Sequence, residues 1–267
     1  MNNLIISMVL SVIFSMSVFA SDQLTKGVLT LSFSDGRPDV HGVSNVNKEL
    51  EKVGVIVTKV DIPTEAHLFI EEAKIRALSA GEKSKLLEIF SLRRVELLNQ
   101  IKLAGRAPAV PLGGFLATSE PNVEPYPKVY DMKSMPNDMK YFLQHKFGKL
   151  HVNSSNEGQG IDEVMTIISG GKWTWFFALE DGVVGKLTLG YVDKLESAWR
   201  LSYPGLVPHG GFFDAEYGIV IAHAHCPKYF IMRYEDASVK WPERLGGNPW
   251  VDFTGEVSLL LSPNVRL

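Results

Sequence analysis

Hydrophobic and polar positions keep one kind of spacing up to about residue 105 and another from about residue 139. Val28-Leu29-Thr30-Leu31-Ser32-Phe33 is a short apolar-rich run that reads as a strand, followed by a polar loop over 34–42. Val43, Val46, Leu50 and Val53 recur at helical spacing and stop at Gly54, a residue that ends helices because it accepts a left-handed backbone. Val55 to Val60 is rich in β-branched residues and closes at Pro63, which marks a second strand. The order strand, helix, strand makes a βαβ-like unit, in which the two strands would run parallel. Leu68, Ile70, Ala73, Ile75 and Leu78 mark a next helix. Ser79-Ala80-Gly81-Glu82 has the spacing of a capping box, in which Ser79 and Glu82 satisfy two orphan amides reciprocally. Leu86, Leu87, Ile89 and Phe90 follow it, and Leu92, Val95, Leu98 and Ile101 extend a helical stripe to Gly105.

Residues 106–138 hold six prolines and the pair Gly113-Gly114, the composition of a long connecting loop and a candidate domain boundary. Beyond a short helical piece, Met139 to Phe147, apolar residues come in strand-length runs. Val164 to Ile168 ends at Ser169-Gly170-Gly171, and Trp173 to Leu179 ends at Asp181-Gly182, a strong hairpin signal. Val183 to Tyr191, Trp199 to Tyr203, Ile219 to His225 and Tyr229 to Tyr234 complete the series. Short strands at this spacing predict a β-sandwich or barrel. The expected class is therefore α+β: an N-terminal βαβ-plus-helices region over 21–138 and an antiparallel β-barrel or jelly-roll domain over 139–267.

Composition narrows the setting. At 45% hydrophobic and 21% charged residues, with a formal net charge of −3, the chain is too apolar for a disordered protein. It also lacks the basic excess of a nucleic-acid partner. Residues 4–19 carry no charge and lead to Ser17-Val18-Phe19-Ala20, then polar Ser21-Asp22-Gln23. That pattern is a signal-peptide core, shorter than the roughly 20 apolar residues of a spanning helix. Residues 1–20 are read as a signal peptide cleaved after Ala20, giving a periplasmic or secreted protein with no integral membrane segment; a buried N-terminal helix is the competing reading. With Cys226 as the one cysteine, an internal disulfide is excluded and stability rests on burial.

Two constellations could carry chemistry. The first is His151, Glu163 and His209 with His223 and His225. Glu163 opens the run that ends in Ser-Gly-Gly, and His209 closes Tyr203-Pro204-Gly205-Leu206-Val207-Pro208-His209. Carboxylate and imidazole groups converging from different strands suit Fe, Mn, Ni or Zn. His223 and His225 share one strand face by the two-residue period, and are either further ligands or hydrogen-bonded core residues. The second is Asp35 to His41, where Asp39 and His41 could move a proton and Arg37 hold an anion. Its structural alternative is a turn at Asp35-Gly36, a helix cap at Asp39 or Ser44 and an Arg37 salt bridge. The aromatics Trp175, Phe177 and Tyr203 could line a small-molecule pocket or simply pack a core.

The order of Glu163, the Gly-containing turn, Pro204-Gly205 and His209 resembles the cupin superfamily over roughly residues 145–240. The resemblance implies a barrel with a divalent metal and a small molecule inside it, and chemistries that include oxygenases and isomerases. In familiar metal-binding cupins a His-x-His pair precedes the Glu. Here Asn153 to Gly160 fills that stretch, the nearest histidine is His151, and the His-x-His of this chain is His223-Ala224-His225. Both an enzyme and a metal-free ligand-binding module fit the sequence.

Overall fold

A computed structural model describes residues 29–110, 118–119, 126–192, 195–225 and 229–262. The proposed export segment and Cys226 lie outside the described residues. Along the chain come β1 (Thr30–Phe33), β2 (Val40–His41), α1 (Val43–Leu50), β3 (Ile56–Asp61), α2 (His67–Ile75), α3 (Ala80–Ile89) and α4 (Arg94–Leu103). Then follow β4 (Thr118–Ser119), β5 (Lys128–Asp131), α5 (Asn137–Phe142) and a π-helical turn (Leu143–Phe147). The remaining strands are β6 (Val152–Ser154), β7 (Asp162–Gly170), β8 (Trp173–Ala178), β9 (Val184–Leu189), β10 (Ser197–Pro204), β11 (His209–Phe213), β12 (Gly218–His225), β13 (Tyr229–Arg233), β14 (Val251–Asp252) and β15 (Leu259–Leu260). The capping box forms as its spacing predicts, with Ser79 Oγ accepting from the Glu82 amide and Glu82 accepting from the Ser79 amide. Among the described residues no helix is long and apolar enough to cross a membrane.

Two five-stranded antiparallel sheets make the body, one in the order β11-β8-β9-β1-β2 and the other β3-β10-β7-β12-β5. The expected βαβ pairing does not form. β1 runs antiparallel to β9 in the first sheet, and β3 antiparallel to β10 in the second. α1 and the 3-10 turn that follows it (Glu51–Val53) thus carry the chain from one sheet to the other, ending where Gly54 takes a left-handed φ of 72°. The stretches before and after residue 138 share both sheets.

The facing sides of the sheets are densely aromatic and aliphatic. Trp173, Trp175 and Phe177 from β8 and Leu187 and Leu189 from β9 meet Met165, Ile167, Leu201 and Tyr203 of the second sheet in one buried cluster. Phe176, pointing the other way from β8, packs instead with Leu150, Phe212 and Trp250, so the C-terminal segment covers the back of the first sheet. Helix α4 covers the back of the second, with Leu97 and, just ahead of the helix, Leu92 packed on Val164. Alternation along β7 therefore sends Glu163 into the space between the sheets and Asp162 and Val164 toward the helices.

Candidate functional site

Between the sheets, four polar side chains meet in an otherwise apolar interior. Glu163 from β7 and His209 from β11 approach across the gap, with Oε1 3.5 Å from Nε2. Tyr203 on β10 stands beside Glu163 in register and donates its hydroxyl to Oε2 at 3.0 Å. Asn153 on β6 donates Nδ2 to Glu163 Oε1 at 2.6 Å and lies 3.3 Å from His209 Nε2. His151 sits against His209, ring centroids 4.6 Å apart. His151, His209 and Tyr203 are 0% exposed, Glu163 1% and Asn153 2%.

Local backbone fixes this cluster. His151 and His209 bond each other reciprocally, amide to carbonyl, at 2.8 and 2.9 Å. Each ring also turns its Nδ1 onto the carbonyl two residues upstream, Lys149 for His151 and Val207 for His209, both at 2.8 Å. A carbonyl only accepts, so Nδ1 carries a proton in each ring, which leaves Nε2 as the atom turned toward the interior. The His151 Nε2 is buried without a hydrogen-bond partner. Gly205 is required here by close approach: a Cβ on it would stand 2.5 Å from the Asn153 carbonyl oxygen and 2.7 Å from that of Ile161.

Burial sets the electrostatics. The His151 imidazole is held well below its ordinary range, first by desolvation and then by the neighbouring His209, against the pull of the Lys149 carbonyl. It is a neutral donor at physiological pH. The Tyr203 phenol is held well above its ordinary range by burial and by the Glu163 charge, so it stays a hydrogen-bond donor to the carboxylate.

The other two histidines named from the sequence are elsewhere. His223 pairs in register with Val164 and His225 with Asp162, so both face the helix-covered back of the second sheet. His225 lies 4.0 Å from Asp162, which also binds Arg106 and the Ala109 amide. The His223 ring is buried with neither nitrogen hydrogen-bonded, and burial, helped by the Arg200 cation, pushes its pKa down to about 4. Because the unfolded chain binds this proton near pH 6.5 and the folded chain near 4, the contribution of His223 to stability is lost as pH falls through that window. We expect the drop in unfolding free energy between pH 7 and pH 4.5 to be smaller by about 2 kcal/mol in His223→Leu than in wild type. Urea titrations at the two pH values measure it, and equal drops in both proteins would refute it.

The Asp35–His41 segment stands apart from the cluster and is held by structural contacts. Arg37 bonds Asp181 at 2.6 Å and lies 4.3 Å over the Phe33 ring. Asp39 accepts from Ser32, and His41 Nδ1 meets the Thr30 hydroxyl at 3.1 Å. Trp175 and Phe177 line the interior as fully buried side chains, Phe177 edge-on to Tyr203. The residue that sequence reasoning passed over is Asn153. Its signal was the spacing His151-Val152-Asn153, which puts two polar side chains on one face of an extended strand.

The donor chemistry of this cluster, two imidazoles and one carboxylate, suits a divalent ion. Among the described residues, however, no group of three or more His, Cys, Asp or Glu is arranged to hold one, and the Glu163 oxygens are already engaged by Asn153 and Tyr203.

No family model and no curated protein sequence matches the chain. Among solved structures it is similar to acireductone dioxygenase from Bacillus anthracis, determined with a cadmium ion in its active centre. The likeness has a TM-score of 0.52 at 17% identity and covers 78% of this chain and 99% of that one. The likeness is one of fold, and the fold of this chain is α+β with a body of two antiparallel sheets, as the sequence predicts.

Proposed function

We propose that the protein is a divalent-metal-dependent enzyme acting on a small molecule, of the oxygenase or isomerase type, with His151, Glu163 and His209 as the residues that hold the ion. The observation that carries this reading is the matched setting of the two histidines, each tied through Nδ1 to a backbone carbonyl with Nε2 directed into the interior, that of His151 without a partner. Metal-ligating histidines are held in this way, because the second hydrogen bond fixes both tautomer and ring direction. Two imidazoles and one carboxylate form a set that suits Fe, Mn, Ni or Zn and leaves positions open to a substrate. When bound, such an ion supplies Lewis acidity toward a substrate oxygen. Tyr203 orients the Glu163 carboxylate through its hydroxyl, and Trp175 and Phe177 keep the surroundings apolar and dry. The fold shared with a dioxygenase that carries cadmium in its active centre supports the reading.

The test is metal uptake by chelator-treated protein offered Fe, Mn, Ni or Zn. One ion per chain is expected for wild type, and affinity at least tenfold lower for His209→Ala, in line with the loss of a direct ligand. Wild-type protein that takes up none of the four would end the proposal. One observation favours a second reading, a metal-free ligand-binding module: both carboxylate oxygens of Glu163 already accept hydrogen bonds inside the protein. The same uptake measurement separates the two.

A further inference from the structure

Asn153 turns the wrong atom toward its neighbours for a metal site. Its Nδ2 faces Glu163 Oε1 at 2.6 Å and His209 Nε2 at 3.3 Å. Since the His209 Nδ1 proton is committed to the Val207 carbonyl, His209 Nε2 accepts, and both Nδ2 hydrogens go to the two atoms a cation would take. The Oδ1 atom, in contrast, is buried without a partner. An amide carbonyl stranded in a dry interior calls for an explanation, because nearly all such groups find one.

The geometry points to Asn153 as an internal plug that becomes a ligand: its amide fills the space between Glu163 and His209 in the metal-free protein, and a half-turn about the Cβ–Cγ bond presents Oδ1 to the ion. This inference rests on the metal reading given above. The half-turn conserves the shape of the side chain, and terminal amide torsions are soft. The backbone need not follow, being pinned by Asn153 N to the Gly205 carbonyl at 2.8 Å and by Ile161 N to the Asn153 carbonyl at 3.2 Å. The assembled set would be two imidazole nitrogens and two oxygens, harder than a set with a third histidine, which tilts selection toward Mn and Fe and away from Zn. Loading is thereby coupled to breaking two internal hydrogen bonds, so the free site is closed rather than open.

Zinc, being diamagnetic, is the probe. In nitrogen-15 correlation spectra of metal-free protein, the Asn153 side-chain pair, assigned by its absence from Asn153→Asp, should be shifted downfield and slow to exchange. One equivalent of zinc should move it and raise its exchange rate at least tenfold. By chelator competition, Asn153→Asp, with an oxygen at both positions and no donor, should bind zinc at least tenfold more tightly than wild type. Asn153→His, a second variant should the first fail to fold, should raise the zinc-over-manganese preference at least tenfold. Zinc bound by wild type with the Asn153 signals unchanged would overturn the inference and leave the metal reading standing. Zinc bound by Asn153→His but not by wild type would make Asn153 a fixed plug, which also overturns it. No binding by any of the three proteins would defeat the metal reading itself, and the inference with it.

Discussion

Arg106→Ala is expected to cost about 3–5 kcal/mol of folding stability, the range seen when one member of a buried ion pair is removed. Arg106 and Asp162 meet with side chains 10% and 1% exposed, and Arg106 also donates to Ser202 at 2.8 Å. Desolvation dominates both groups. It lowers the guanidinium pKa to about 10 against the attraction of Asp162, and raises that of the Asp162 carboxyl against Arg106 and the Ala109 amide. The pair is thus costly to bury and stable only while intact. Without Arg106, the Asp162 charge keeps only the Ala109 amide and a histidine 4.0 Å away. A carboxyl whose folded pKa lies above its unfolded one destabilises at neutral pH and recovers as pH falls through the folded pKa. The deficit of Arg106→Ala should therefore be largest at pH 7 and shrink toward pH 4. The double variant Arg106→Leu/Asp162→Leu should regain most of the loss, since an apolar pair leaves no stranded charge. Urea unfolding of the three proteins at both pH values checks this, and a single-variant loss under about 1 kcal/mol would contradict it.

The other large effect belongs to Trp175→Ala, for which a loss of about 3–5 kcal/mol is expected. Trp175 is 0% exposed, and its ring meets Phe213 edge-on at 5.0 Å. Its neighbours in register, Leu187 and Gly211, are tied to it through the ladders of β8 with β9 and β11, so the walls of the resulting cavity have little freedom to collapse. Phe176→Ala should destabilise by a similar amount, because Phe176 is equally buried on the other face, under Trp250. The two differ in what else they disturb. Trp175 adjoins Tyr203, which orients Glu163, so Trp175→Ala should also weaken metal uptake, whereas Phe176→Ala should leave it as in wild type. Calorimetric melting of both variants with uptake measured alongside distinguishes them. A Trp175→Ala protein as stable as wild type would make that ring part of an adaptable ligand wall instead of the core.

Local features of this fold were legible because they are decided within a few residues. The Ser79–Glu82 box, the Asp181-Gly182 hairpin and the alternation that puts Trp175 on one face of β8 and Phe176 on the other all follow from short-range spacing. The partners of β1 and β3 were not legible, since helix α1 between two strands is equally compatible with one parallel sheet and with a crossing between two sheets. The same limit explains the histidines. A two-residue period correctly puts His223 and His225 on one face, but nothing in it says which face the helices cover. That Glu163 and His209 lie near each other was legible through their place before and after the glycine turns. Asn153 was not, because an amide carries no ligand signature until its neighbours are known. Arg106 fell in a proline-rich stretch where no periodic pattern assigns a direction.

The pairing of β1 with β9 and of β3 with β10 also governs how the protein is made. Leu31 meets Leu187 and Val57 meets Leu201, so β1 and β3 leave the ribosome long before these partners exist. At about 5–20 residues per second, β1 waits roughly 8–30 seconds for β9. Through that interval two β-rich segments have unpaired edges that invite association with other chains. Contacts so distant in sequence also make closure of the sheets slow once synthesis ends. The architecture that seals the cluster of Glu163 and His209 from water is thus one in which β1 and β3 reach their places in the two sheets only when strands far downstream have been translated.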